Sequence, residues 1–172
     1  MSRAPVRTPG EARCGGFSLL ELCVAIAVIA SVAGVLLNSL LFYQELAEKT
    51  VVDLTLLNMR SGVRFQIADK MIHGRYAELE AVLASNPVNW LGKPPAGYAG
   101  ELGAGTARSP QPGEWFFDVG SRELGYVPRL NAHLSLASAG DRALRWRIRG
   151  SRSKSGEIED LSLVSVTRYT WF

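Results

Sequence analysis

The hydrophobic pattern changes character twice along the chain. Residues 22–37 carry no charge, and apolar character continues past Asn38 and Ser39 to Tyr43. As a helix, the 22 residues of 22–43 extend roughly 33 Å, enough to cross a hydrocarbon core about 30 Å thick. Apolar positions then thin to steps of three and four, at Val52, Leu56, Met59, Val63, Ile67 and Met71. Glu48, Lys49, Asp53, Arg60, Arg64 and Asp69 fill much of the remaining surface. This spacing predicts an amphipathic helix with one buried stripe. His73-Gly74 ends or bends it. A shorter helical stretch over 76–85 carries Leu79, Val82 and Leu83 on one side, and Asn86-Pro87 closes the helical region.

After residue 113 the period becomes two. Stretches 114–118 and 123–127 flank Gly120-Ser121 and predict a hairpin. In 143–149, Leu144, Trp146 and Ile148 alternate with Arg145, Arg147 and Arg149. In 161–169, Leu161, Leu163, Ser165, Thr167 and Tyr169 alternate with Ser162, Val164, Val166 and Arg168. The Gly-, Pro- and Ala-rich segment 92–113 reads as a surface connection. The expected fold is therefore α+β: a long N-terminal helix, its first half transmembrane, with a small C-terminal antiparallel sheet packed on its outer half.

Charge adds an orientation. Of nineteen basic and sixteen acidic side chains, Arg3, Arg7, Arg13 and Glu11 fall in the first sixteen residues. The remainder, with sixteen basic and fifteen acidic groups, is close to neutral, so the basic pI of about 9.1 belongs mostly to the N-terminal tail. Arginines before the apolar run, with Glu45 and Glu48 just after it, place the N-terminus in the cytoplasm and everything beyond residue 44 outside it. The two cysteines, Cys14 and Cys23, precede or lie within the run, so the exported part has no disulfide and no Cys/His cluster for metal.

Three readings compete for residues 1–43. A cleaved secretory signal would end near 31–33, but apolarity resumes at Val35 and runs on to Phe42. A plain uncleaved anchor explains length and orientation, yet gives no role to Gly15-Gly16 or to Glu21. A carboxylate at the centre of a membrane helix costs about 2.5–3.5 kcal/mol on insertion scales, so one retained at the start of such a run calls for a use. The third reading accounts for both. The stretch Gly15-Gly16-Phe17-Ser18-Leu19-Leu20-Glu21 resembles the processing site of type IV pilins and type II secretion pseudopilins.

That resemblance implies cleavage between Gly16 and Phe17 by a membrane-embedded prepilin peptidase, with N-methylation of the new Phe17 terminus. Glycine at the cut leaves the backbone free to enter a protease cleft. Glu21, five residues into the mature chain, would pair with the amine of a neighbouring subunit and favour docking into a growing filament. Many pilins carry proline where this chain has Asn38, so a filament-specific kink there is not expected, though Gly34 can loosen the helix. The segment 89–102, with 112–118 and 123–128, also looks like the head of minor pilins or pseudopilins of Gram-negative bacteria. The lack of cysteine in the head leaves out the disulfide loop of major adhesive pilins and favours the minor class.

The implied organisation is a leader over 1–16, a transmembrane half-helix over 17–43, a periplasmic helical region over 44–86 and a loop-and-sheet head over 87–172. The implied partners are the prepilin peptidase, other pilins or pseudopilins, an inner-membrane platform protein, an assembly ATPase and, before assembly, membrane lipid. The implied location is the bacterial inner membrane in a single pass with a periplasmic head, then the filament.

Catalytic and ligand chemistry finds no pattern. Gly100, Gly103 and Gly105 lack the strand and helix that a phosphate loop needs. Glu157, Glu159 and Asp160 lack the alternating oxygen ligands of a calcium loop and read as a solvated turn. His73 and His133 stand 60 residues apart, Trp115, Phe116 and Phe117 read as sheet residues, and no nucleophile constellation is recognisable. No cofactor, no metal and no enzymatic activity is expected. The arginine face of Arg145, Arg147 and Arg149, extended by Arg142, Arg152 and Lys154, supplies the rival reading, an anchored periplasmic binding module contacting DNA through clustered cations. The near-neutral head lacks a wide positive field, so a solvated or subunit-contacting face is the stronger expectation and nucleic acid the weaker.

Overall fold

A computed structural model describes residues 18–103, 108–137, 142–153 and 158–172. Helix α1 spans Leu19–Ile72 and contains none of the chain's eight prolines. The chain divides into two compact units, Met1–Leu41 and Phe42–Phe172. In the first, the described residues are helical from Leu19 and almost all exposed, with Leu19 at 80% and Val35 at 69%. Among the described residues α1 is the one helix long and apolar enough to cross a membrane, as a membrane anchor or a signal sequence does.

In the second unit the predicted stripe is the buried one: Val52, Leu56, Met59, Val63 and Ile67 are each at most 7% exposed, and Met71 packs against them. The helix stops where expected. Gly74 adopts φ 67, Arg75 N donates to Lys70 O at 2.8 Å and Gly74 N to Met71 O at 3.1 Å, a Schellman closure that a left-handed glycine permits. A 3₁₀ turn over Tyr76–Glu78 leads into α2, Leu79–Ala84, which buries Leu79 and Val82. The helical region does not close at Asn86-Pro87. A further 3₁₀ turn, Pro87–Trp90, follows, because Asn86 Oδ1 accepts from Val88 N at 3.0 Å and caps it, while proline suits a first helical position.

The strands are β1 Tyr98–Leu102, β2 Trp115–Asp118, β3 Glu123–Tyr126, β4 Leu134–Leu136, β5 Leu144–Arg152, β6 Ile158–Ser165 and β7 Tyr169–Trp171. The main sheet runs β1-β2-β3-β5-β6, and β4 pairs with β7 separately. The sheet is mixed, not antiparallel as the sequence suggested: β1 lies parallel to β2. Its strand hides in the Gly/Pro-rich segment because an edge strand needs no full alternation, and residues 103–114 supply the dozen or so that a parallel crossover needs. The hairpin β2–β3 pairs as expected, Trp115 opposite Tyr126 and Phe117 opposite Leu124.

Two further expectations change. The alternation over 161–169 is two strands in two sheets: β6 ends at Ser165, the chain bends at Val166-Thr167, and β7 joins β4. Period two carries across the bend, so alternation alone cannot reveal it. Asp160 belongs to β6, opposite Ser151, rather than to a turn. An edge strand presents an exposed acid to water at little cost.

One sheet face, with Trp115, Leu124, Tyr126, Leu144, Trp146, Ile148, Leu161 and Leu163, packs on the helix stripe and on Leu79, Val82 and Val88. The alternation of β5 is as expected, and Trp146 is 1% exposed in that core. On the reverse face Phe116 lies opposite Gly125, and a Cβ on Gly125 would strike the Phe116 ring. Only glycine lets the ring cover the strand.

Candidate functional site

Three groups of polar residues merit attention: the helix entry, the reverse face of the sheet and the first turns of α1 in the second unit. Gly16 and Phe17 lie outside the described residues. Ser18 caps α1: its carbonyl accepts from Leu22 N and its Oγ from Glu21 N, both at 3.1 Å. The order Ser-x-x-Glu is that of a capping box, and a carboxylate in the first turn complements the positive end of the helix. Glu21 is exposed, and its carboxylate makes no hydrogen bond or ion pair among the described residues.

On the reverse face the expected arginines are placed together, with an acid that the sequence reading passed over. Arg147 Nη2 donates to Glu123 Oε1 at 2.6 Å, and Arg145 Nη1 to Glu123 Oε2 at 3.3 Å, with Asp118 3.6 Å away. Arg145 also lies 5.6 Å over the Phe116 ring. Glu123 is buried, so its charge is held by both guanidinium groups. Asp118 feels burial, which raises its pKa, but backbone N–H bonds from Gly120 and Ser121 with the Arg145 charge bring it below the usual value. Arg149 is exposed and has no ion pair among the described residues, and Arg152 pairs with Glu80 at 2.6 Å. Among the described residues, Glu123 and Asp118 thus offset the charge of Arg145 and Arg147, which weakens the pull of this face on a polyanion. A hidden signal existed: Glu123 stands opposite Asp118 across the hairpin, and two facing acids need cations nearby.

The third group went unread in the sequence, where Glu45 and Glu48 served only as charges flanking the apolar run. Glu45 is 1% exposed. Its Oε1 accepts from His133 N at 2.9 Å and Trp171 Nε1 at 3.1 Å, and its Oε2 lies 2.8 Å from His133 Nδ1. Burial pushes this carboxyl up, but the His133 ring and backbone, with the Trp171 indole, outweigh it and hold the pKa below the usual 4.5. One turn on, Glu48 Oε1 accepts from Tyr126 OH at 2.6 Å and Arg129 N at 2.7 Å, and Oε2 from Leu130 N at 3.1 Å. Burial, then the Glu48 bond and charge, raise the Tyr126 phenol. The signal available was phase: Glu45 sits seven residues before Val52, on the buried stripe itself.

Chemically these carboxylates are occupied. A groove of about 630 Å³ opens beside Glu48, lined also by Val51, Trp115, Tyr126 and Arg129, but the Glu48 oxygens there already accept three bonds. The two glutamates fasten loop 127–133 and β7 to the helix; they show no nucleophile or base poised toward open space. Glu157 and Lys154 lie outside the described residues, and His73 Nδ1 contacts Asp69 O at 2.7 Å on the helix end. No protein-family model, no curated protein and no solved structure matches the chain.

Proposed function

We propose that the chain is a prepilin, cut between Gly16 and Phe17, that serves as a minor pilin or pseudopilin subunit of a type IV pilus-like filament or type II secretion pseudopilus. The observation that carries the reading is the coupling of Gly15-Gly16-Phe17 to an exposed apolar helix whose first turn holds a glutamate with no ion pair among the described residues. Glu21 then receives its counter-charge from the Phe17 amine of a neighbouring subunit. The function is structural, with lateral packing as its mechanism. A second stripe on α1 supports it: Leu54, Leu57, Phe65 and Ile72 are more than half exposed, on a face the head leaves uncovered. Repetition of one heterologous helix contact gives an open filament.

A Glu21→Ala substitution tests the pairing. Recovery of the subunit in sheared filament fractions should fall at least tenfold, while the melting of the head stays unchanged. Incorporation equal to that of the unsubstituted chain would contradict the role assigned to Glu21.

A further inference from the structure

The outer end of the apolar run carries an aromatic cluster. Phe42 lies edge-on to Tyr43, His133 and Phe172, with ring centroids 5.6, 5.3 and 5.4 Å away. His133 stacks on Phe172 at 4.9 Å with planes 15° apart. The cluster is fastened from within: Phe172 N donates to His133 O at 3.3 Å, and His133 and the neighbouring Trp171 are both held by Glu45. Phe42, Tyr43 and Phe172 nonetheless remain 38%, 64% and 42% exposed. These rings are costly to leave in water and are not buried elsewhere in the head.

We infer that this cluster docks the head onto the lipid surface of the membrane that holds its own apolar run, with Phe172 seated at the headgroup–acyl boundary. The inference rests on the anchor reading of residues 22–43. A run of that length ends at the far face of the hydrocarbon core, so Phe42 and Tyr43 stand in the interface, where aromatic rings with polar neighbours collect. Phe172 touches Phe42 and therefore reaches the same depth. Continuity with the apolar run is what selects lipid as the occupant. Glu45 stands one turn beyond Phe42, and its three head-derived donors leave it buried, so a carboxylate at this level faces neither lipid nor bulk water. The head's last strand thus belongs to the membrane contact as well as to the fold.

Photocross-linking of the full chain in vesicles of phosphatidylethanolamine and phosphatidylglycerol tests this. Phe172→p-benzoylphenylalanine keeps an aromatic ring at the site, and Tyr76→p-benzoylphenylalanine, at an exposed position beyond the end of α1, serves as reference. Irradiation should add the mass of one lipid at position 172 at least fivefold more often than at position 76. Retention of the chain after a carbonate wash, with cross-links from position 172 only to a second chain or at the reference level, overturns the docking and leaves the anchor standing. Release of the chain by carbonate overturns both.

Discussion

The Trp171 indole Nε1 donates to Glu45 Oε1 at 3.1 Å, joining residues 126 positions apart in the chain. This bond ties β7 to the first buried turn of α1 in the second unit. His133 closes the same carboxylate from the other side, so one helical glutamate organises both β7 and the loop before β4.

Replacing that carboxylate should unfasten the head. Glu45→Ala leaves the buried Trp171 indole N–H without its acceptor, at about 1–3 kcal/mol for an orphaned buried donor, and also removes the bond of the part-buried His133 N–H. A loss of about 3 kcal/mol, or a melting point lower by roughly 10 °C, is expected for the detergent-solubilised chain. Glu45→Gln keeps one acceptor oxygen and should lose less. A change below about 0.5 kcal/mol for Glu45→Ala would contradict the clamp.

The two clamps give stability a defined pH dependence. Glu45 has a depressed folded pKa, so its contribution is complete above its ordinary 4.5 and drains away as pH falls toward the folded value. Tyr126 has a raised folded pKa, so its contribution is present below its ordinary 10 and disappears as pH rises from there toward the folded value. Melting curves should therefore fall off on both limbs. Glu45→Gln should flatten the acid limb and Tyr126→Phe the alkaline one, and limbs unaltered by these changes would count against the assignment.

Gly125 should tolerate no side chain. An added Cβ meets the Phe116 ring, which has to leave the strand and its place beneath Arg145. Gly125→Ala should cost about 1–3 kcal/mol in a denaturant titration, as overpacking does, whereas Gly92→Ala, with nothing nearby, should be close to neutral. Equal effects at the two positions would show that the Phe116 cover is not a packing constraint.

How far the sequence carried can be seen residue by residue. The stripe from Val52 to Ile67, the helix stop at Gly74, the β2–β3 hairpin and the inward Trp146 follow from periodicity and turn chemistry, which are local. Strand β1 escaped because edge pairing in parallel leaves no alternating pattern, and β7 because the bend at Val166-Thr167 preserves the period. The Glu45 clamp depends on Trp171 and His133, far away in sequence, and only its heptad phase with Val52 was visible beforehand. Glu123 is a similar case, since its partners lie on another strand. At the helix entry the Ser18 cap was readable as Ser-x-x-Glu; it uses the Glu21 backbone N–H and leaves the carboxylate without a bond among the described residues.

The most direct test of the prepilin account is the intact mass of the chain purified from membranes of cells with and without a prepilin peptidase. The account predicts loss of residues 1–16 and gain of one methyl group only where the peptidase is present. An uncut chain in both cells, or a cut near Ala33, would contradict it.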